Sequence, residues 1–204
     1  MSQNSIAFVG DIHGNSDALR GLMTVLEDSS IDQTVFLGDY INKGRDSAGV
    51  IEFLFEESKR LPLVLLKGNH EKALLEALDT GNLAHFLKIG GARTIQSYLR
   101  GPVGPDVLFE FQTRIPEAHV EFVRRMSDRF EHADVVASHV PLSGVDGRYR
   151  VSAHISVGEL PLIDSHSARI DTGCGSFADG RLTALLWPSL SYFQVDASGT
   201  RIQV

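Results

Sequence analysis

The first eighty residues repeat one pattern: a short continuous apolar run ends in Gly-Asp or Gly-Asn, and a stretch with apolar residues at helical spacing follows. IAFVGD (6–11) precedes Leu19, Leu22, Met23 and Leu26. TVFLGD (34–39) precedes Val50, Ile51, Leu54 and Phe55, and LVLLKGN (63–69) precedes Ala73, Leu74, Ala77 and Leu78. Short apolar runs without polar alternation fit strands buried on both faces, and the spacing after each fits a helix packed against them. Alternating strand and helix predicts βα units in a largely parallel sheet. Polar residues at the carboxyl ends of such strands collect along one edge, where ligands bind.

Residues 80–132 break the rhythm. DTGNLAHFLKIGGARTIQSYL and IPEAHVEFVRRM read as helices joined by the Gly/Pro-rich link RGPVGPDV (100–107). Some fifty residues make a small independent core, so the expectation is a helical cap or insertion, 80–132, within a single domain covering 1–204. Strand-like runs then resume at 134–138, 149–153, 168–173, 181–187 and 191–196, a spacing that predicts a second, largely antiparallel sheet.

Composition narrows the function. The lone cysteine, Cys174, cannot form an internal disulfide and lies in apolar surroundings, which predicts a buried structural thiol. Net charge is −7 with no block of Lys or Arg, arguing against nucleic-acid or membrane-surface binding. An anionic substrate would then need local positive charge, such as bound metal. No apolar run approaches the roughly 18 residues of a membrane span. MSQNSIAFVGD lacks the basic and apolar segments of a secretion signal, so a cytoplasmic location is expected.

The candidate chemistry sits at the ends of the apolar runs. Asp11 and His13 lie in GDIHG, Asp39 in GDYINKG, Asn69 and His70 in KGNHE, His139 in VVASHVP and His154 in RVSAHIS. One Asp-x-His after a strand describes many ordinary turns. The ordered set is different, because several strand ends can converge on one pocket. Carboxylate, imidazole and amide oxygen suit borderline divalent ions, and the absence of thiols among them argues against a structural zinc site. His85, His119, His132 and His166 lie outside these junctions and read as surface, capping or packing residues.

This order resembles the calcineurin-like metallophosphoesterases, in particular the phosphoprotein-phosphatase branch. That branch holds serine/threonine phosphatases, bacterial and phage relatives, and symmetrical diadenosine-tetraphosphate hydrolases. The similarity runs through GDIHG, GDYINKG, KGNHE, SHVP, SAHIS and IDTGCGSFADGRLTALLWP, nearly the whole chain, with FLKIGGARTIQSY and IPEAHVEFVRRM similar to the cap of bacterial members. The resemblance implies an α/β fold, an α-β-β-α sandwich with mixed sheets and a small helical insertion.

It also implies roles. Asp11 and His13 would hold a first metal, Asp39 would bridge, and Asn69, His139 and His154 would complete a second. The cofactors would be two divalent ions, manganese first, with iron, zinc or nickel as alternatives, activating a water that attacks phosphorus. His70 would be the general acid at the leaving oxygen. Lys43 stands where the family has a phosphate-binding Arg, keeping the charge without the two-pronged geometry. Arg148 or Arg150, between the last two ligands, is a further candidate phosphate contact. Asn42 stands where protein phosphatases carry an Asp paired with the acid histidine, and asparagine orients the ring without favouring imidazolium. The expected function is a serine/threonine protein phosphatase-like phosphomonoesterase acting on phosphorylated protein. A symmetrical dinucleoside-tetraphosphate hydrolase acting on a nucleotide is the alternative. A catalytically weak metal- and phosphate-binding regulatory module is a third reading, of another class.

Overall fold

The computed structural model describes residues 5–143 and 147–203. Three βα units open the chain. Strands β1 (Ile6–Val9), β2 (Gln33–Phe36) and β3 (Leu63–Leu65) pair in parallel, followed by helices α1 (Ser16–Glu27), α2 (Ser47–Glu57) and α3 (Asn69–Thr80). Alternation along the strands builds two cores. Ala7, Val9 and Phe36 face the helices, where Leu19, Leu22, Met23 and Leu26 of α1 are buried. Ile6, Phe8, Val35 and Leu37 face the opposite way, into a core shared with a second sheet. Each fully buried Leu, Ile or Phe contributes about 2 kcal/mol from its apolar area. Side-chain caps start the first two helices: Asn15 Oδ1 accepts from the Ala18 N–H, and Asp46 Oδ1 from the Gly49 N–H.

Helices α4 (Ala84–Lys88), α5 (Gly91–Leu99), α6 (Val107–Arg114) and α7 (Glu117–Arg125) form the expected helical segment. Phe86, Ile95, Phe111 and Val123 join it to the helix-side core. It ends earlier than the sequence suggests, because β4 (Arg129–His132) is a strand whose residues alternate between exposed and half-buried. Among the described residues, no helix is long and apolar enough to cross a membrane.

The later strands divide differently from expectation. The second sheet runs β4, β5 (Val135–Ser138), β6 (Tyr149–Ser152), β8 (Ser167–Arg169) and β7 (Leu162–Ile163). Its central strands β5, β6 and β8 are parallel, with β4 and β7 antiparallel at the edges. Strands β9 (Leu182–Trp187), β10 (Tyr192–Val195) and β11 (Arg201–Ile202) instead extend the first sheet, with β9 antiparallel to β1. An apolar run identifies a strand but not its partner. Here β9 can sit beside β1 because Ala184 feeds the helix-side core while Leu185 feeds the inter-sheet core. Six parallel strand ends therefore open on one edge.

Candidate metal centre

Each of those six ends delivers polar groups. β1 leads to Asp11 and His13, β2 to Asp39, β3 to Asn69 and His70, β5 to His139, β6 to His154 and β8 to Asp171. Five of the seven described non-glycine residues with positive φ belong to the loops here: His13, Asp39, Asn42, Lys43 and His154. Such conformations cost of order 1–3 kcal/mol each and concentrate at functional sites.

The carboxylate of Asp39 lies between two groups of polar side chains. Its Oδ2 is 3.8 Å from His13 Nε2, which is 3.6 Å from Asp11 Oδ2. Its Oδ1 is 3.4 Å from His139 Nε2. That nitrogen is 3.1 Å from Asn69 Oδ1 and 3.1 Å from His154 Nδ1. The structure thus brings together Asp11, His13, Asp39, Asn69, His139 and His154. His13 Nδ1 donates to Ile41 O at 3.1 Å and His139 Nδ1 to Leu37 O at 3.0 Å, so each ring, when neutral, turns its Nε2 lone pair toward the cluster. Asp11, His13, Asp39 and His139 are buried, and His154 is exposed at the opening.

The donor set fits divalent metal. Asp11 Oδ2 is buried without a hydrogen-bond partner. One ligand atom each from Asp39, His139 and His154 lies within 4.8 Å of the others, as does one each from His13, Asp39 and His70. The electrostatics agree. Burial, then the charges of Asp39 and Asp171, push the Asp11 carboxyl well up. Burial opposes ionisation of Asp39 too, but the hydrogen bond to His139 and the surrounding imidazoles hold that carboxyl below its usual range. Burial drives His13 down to about 3, against the pull of Asp39, so its ring is neutral and ready to ligate. A cation would relieve the crowding of buried carboxylates.

His70 lies beside this centre, with Nε2 at 3.6 Å from Asp39 Oδ2 and Nδ1 at 2.6 Å from Asn42 Nδ2. Lys43 Nζ donates to His13 Nε2 at 2.8 Å and to Ser176 Oγ at 3.1 Å, so its charge sits at the mouth of the site. Arg148 is not brought here. It precedes β6 while His154 follows it, and its Nη1 is 2.9 Å from Glu131 Oε2. Opposite ends of an extended segment of that length are roughly 20 Å apart. Arg150 lies within β6 and its Nε points to His166 O. Lys43→Ala is therefore expected to raise KM for an aryl phosphate by about 10-fold or more, the worth of a charge-assisted hydrogen bond. Arg148→Ala should leave KM within about twofold; steady-state kinetics on the two variants checks the contrast.

Four further residues of the site carry no role in the sequence reading: Glu71, Gly68, Asp171 and Ser176. Glu71 is wholly buried: Oε2 accepts from the N–H groups of Asp39 (2.8 Å) and Gly68 (2.9 Å), and Oε1 from that of Tyr40 (2.9 Å). A Glu three residues after a helix N-cap is a recognisable capping signal. Gly68 must be glycine, because a Cβ there would fall onto the Asp39 carboxylate. Asp171 follows a strand-like run just as Asp11 does; it is buried and accepts from the Gly173 N–H at 2.9 Å. Ser176 carried no local signal. Cys174 is buried, and burial pushes its thiol up to about 12, which suits packing rather than nucleophilic attack.

The Calcineurin-like phosphoesterase family matches residues 5–163, and the chain belongs to that family. It is 30% identical to serine/threonine-protein phosphatase 1 of Salmonella typhimurium over 131 residues, 64% of this chain and 59% of that protein. It is 32% identical to the symmetrical bis(5'-nucleosyl)-tetraphosphatase of Cellvibrio japonicus over 101 residues, 49% of this chain and 35% of that protein. The chain thus spans less than two thirds of the length of either relative. Among solved structures, a provisionally assigned diadenosine tetraphosphatase superposes with a TM-score of 0.68 at 19% identity, over 95% of this chain and 93% of that one, which shows a shared fold.

Proposed function

We propose that this chain is a metal-dependent phosphohydrolase that uses two divalent ions, manganese first among manganese, iron, zinc and nickel. Asp11, His13 and Asp39 would hold one ion, and Asp39, Asn69, His139 and His154 the other. The observation that carries this reading is Asp39, whose two oxygens face His13 and His139 respectively. When bound, the ions supply Lewis-acid charge that polarises phosphoryl oxygens and renders a water acidic enough to act as nucleophile. The protein groups do the rest. Lys43, steadied by Ser176, offers a point charge to a phosphoryl oxygen. His70, with Nε2 3.6 Å from Asp39 Oδ2, would act at the leaving oxygen above a floor of buried side chains.

Two substrate classes fit. A phosphoserine or phosphothreonine ester in a protein is the first, supported by the Salmonella relative. A dinucleoside tetraphosphate is the second, favoured by one observation: the group facing His70 Nδ1 is the Asn42 amide rather than a carboxylate. The purified protein, loaded with manganese, should release phosphate from an aryl phosphate. A phosphopeptide and diadenosine tetraphosphate, assayed alongside it, rank the two classes. Turnover of none of the three, with two metals bound per chain, would leave a binding module and overturn the proposal.

A further inference from the structure

Two of the strand ends at the metal centre continue into loops that enclose a pocket of about 370 Å³. One wall is the loop after His154, with Ser156 and Glu159; the other is the loop after β8, with Thr172, Phe177 and Asp179. Phe177 is 59% exposed, yet its backbone is fixed. Its N–H and that of Ser176 both donate to Gly173 O at 3.1 Å, and the Gly180 N–H donates to Phe177 O at 3.2 Å. A Cβ at Gly173, where φ is +83°, would fall onto the phenyl ring, so the ring rests against bare backbone. Ser176, its neighbour in the chain, is the residue whose Oγ lies 3.1 Å from Lys43 Nζ. Consecutive Cα atoms are about 3.8 Å apart, so the pocket adjoins the mouth where Lys43 sits.

The charged lining of this pocket is acidic. Glu159 Oε2 is taken by Arg181 Nη2 at 2.6 Å, whereas the exposed Asp179 carboxylate has no partner among the described residues. A second phosphate would be repelled here; a neutral ring bearing an N–H donor would not. An extended peptide is a poor occupant, because main-chain hydrogen bonds supply much of its affinity. The N–H groups of Val157, Phe177, Gly180 and Arg181 are already spent within the two loops. We propose that this pocket receives the base of a nucleotide substrate, stacked on Phe177 with an exocyclic amine donating to Asp179. Resting on the phosphohydrolase reading above, this names a nucleoside phosphate or dinucleoside polyphosphate as the substrate class and Phe177 as the residue that selects it. A ring held in place before binding loses little freedom when a base stacks on it.

Isosteric phosphonates of AMP, IMP and ribose 5-phosphate, with a carbon–phosphorus bond in place of the ester, bind without being cleaved and serve as probes. Calorimetric titration of the manganese-loaded whole chain should show the AMP analogue binding about tenfold tighter than the ribose analogue, the worth of one stacked base. Phe177→Ala should remove most of that ratio, and Phe177→Trp should keep it. The IMP analogue, with a carbonyl in place of the amine, should bind more weakly than the AMP analogue, and Asp179→Asn should narrow the difference. In kinetics, Phe177→Ala should lower the ratio of kcat/KM for diadenosine tetraphosphate to that for a phosphoserine peptide by about tenfold. Equal binding of the AMP and ribose analogues by the wild type overturns the proposal, whatever the variants do. Equal binding of the AMP and IMP analogues, or a wild-type AMP-to-ribose ratio in Phe177→Ala, overturns it as well. So does a loss in Phe177→Ala that falls on the phosphopeptide more than on the nucleotide. If base binding depends on Phe177 but no phosphate substrate is turned over, the base pocket stands and the phosphohydrolase reading falls. Turnover without that dependence gives the reverse.

Discussion

Asp39→Asn is expected to lower turnover of every phosphate substrate by more than about 100-fold, since loss of a group merely supporting a ligand already costs about 10- to 100-fold. Asparagine matches the volume but has one acceptor oxygen where the carboxylate has two. Oδ2 faces His13 and Oδ1 faces His139, so whichever way the amide turns, one half of the centre meets an NH2 group. The negative charge that offsets repulsion between two dications is lost as well. Metal titration should show fewer than two ions per chain, and the rise in Tm on adding manganese should shrink. The metal-free protein should still fold, because an amide oxygen can keep the 3.1 Å bond from the His70 N–H. Activity and stoichiometry like those of wild type would refute a bridging role.

The second large effect is on stability. Glu71→Gln should destabilise the metal-free protein by about 2–3 kcal/mol, read from urea unfolding, although nothing in volume changes. Three backbone N–H groups, of Asp39, Tyr40 and Gly68, converge on the two oxygens of Glu71. Glutamine offers a single oxygen, so its NH2 must face at least one of those donors in a fully buried site. That leaves a buried donor opposed by a donor, which costs more than the loss of an exposed bond. Because Glu71 also fixes the backbone of Asp39, metal affinity should fall with stability. An unchanged unfolding midpoint would show that the loop is held by other contacts.

These residues also show how far the chain could be read without coordinates. Asp11, Asp39, Asn69 and His139 stand where an apolar run stops, and a run that stops is a local property of sequence. Asp171 obeys the same rule and was overlooked. Arg148 failed for the converse reason: position between two ligands in sequence says nothing about which end of β6 a residue occupies. Asn42 was recognisable as an unusual residue at a recognisable place, whereas its partner Thr94 was not. Nothing local marks a threonine 52 positions away as a hydrogen-bond partner of that amide.

The sequence by itself determined the βα rhythm, the strand ends and the polar residues placed at them, because period and burial are written in consecutive side chains. Tertiary structure decided the rest. It put β9 beside β1, aligned six parallel strand ends on one edge, carried Lys43 to His13, and brought Thr94 from α5 behind Asn42. Those outcomes depend on which apolar faces bury one another across the two cores, a choice made between distant segments that no local pattern encodes.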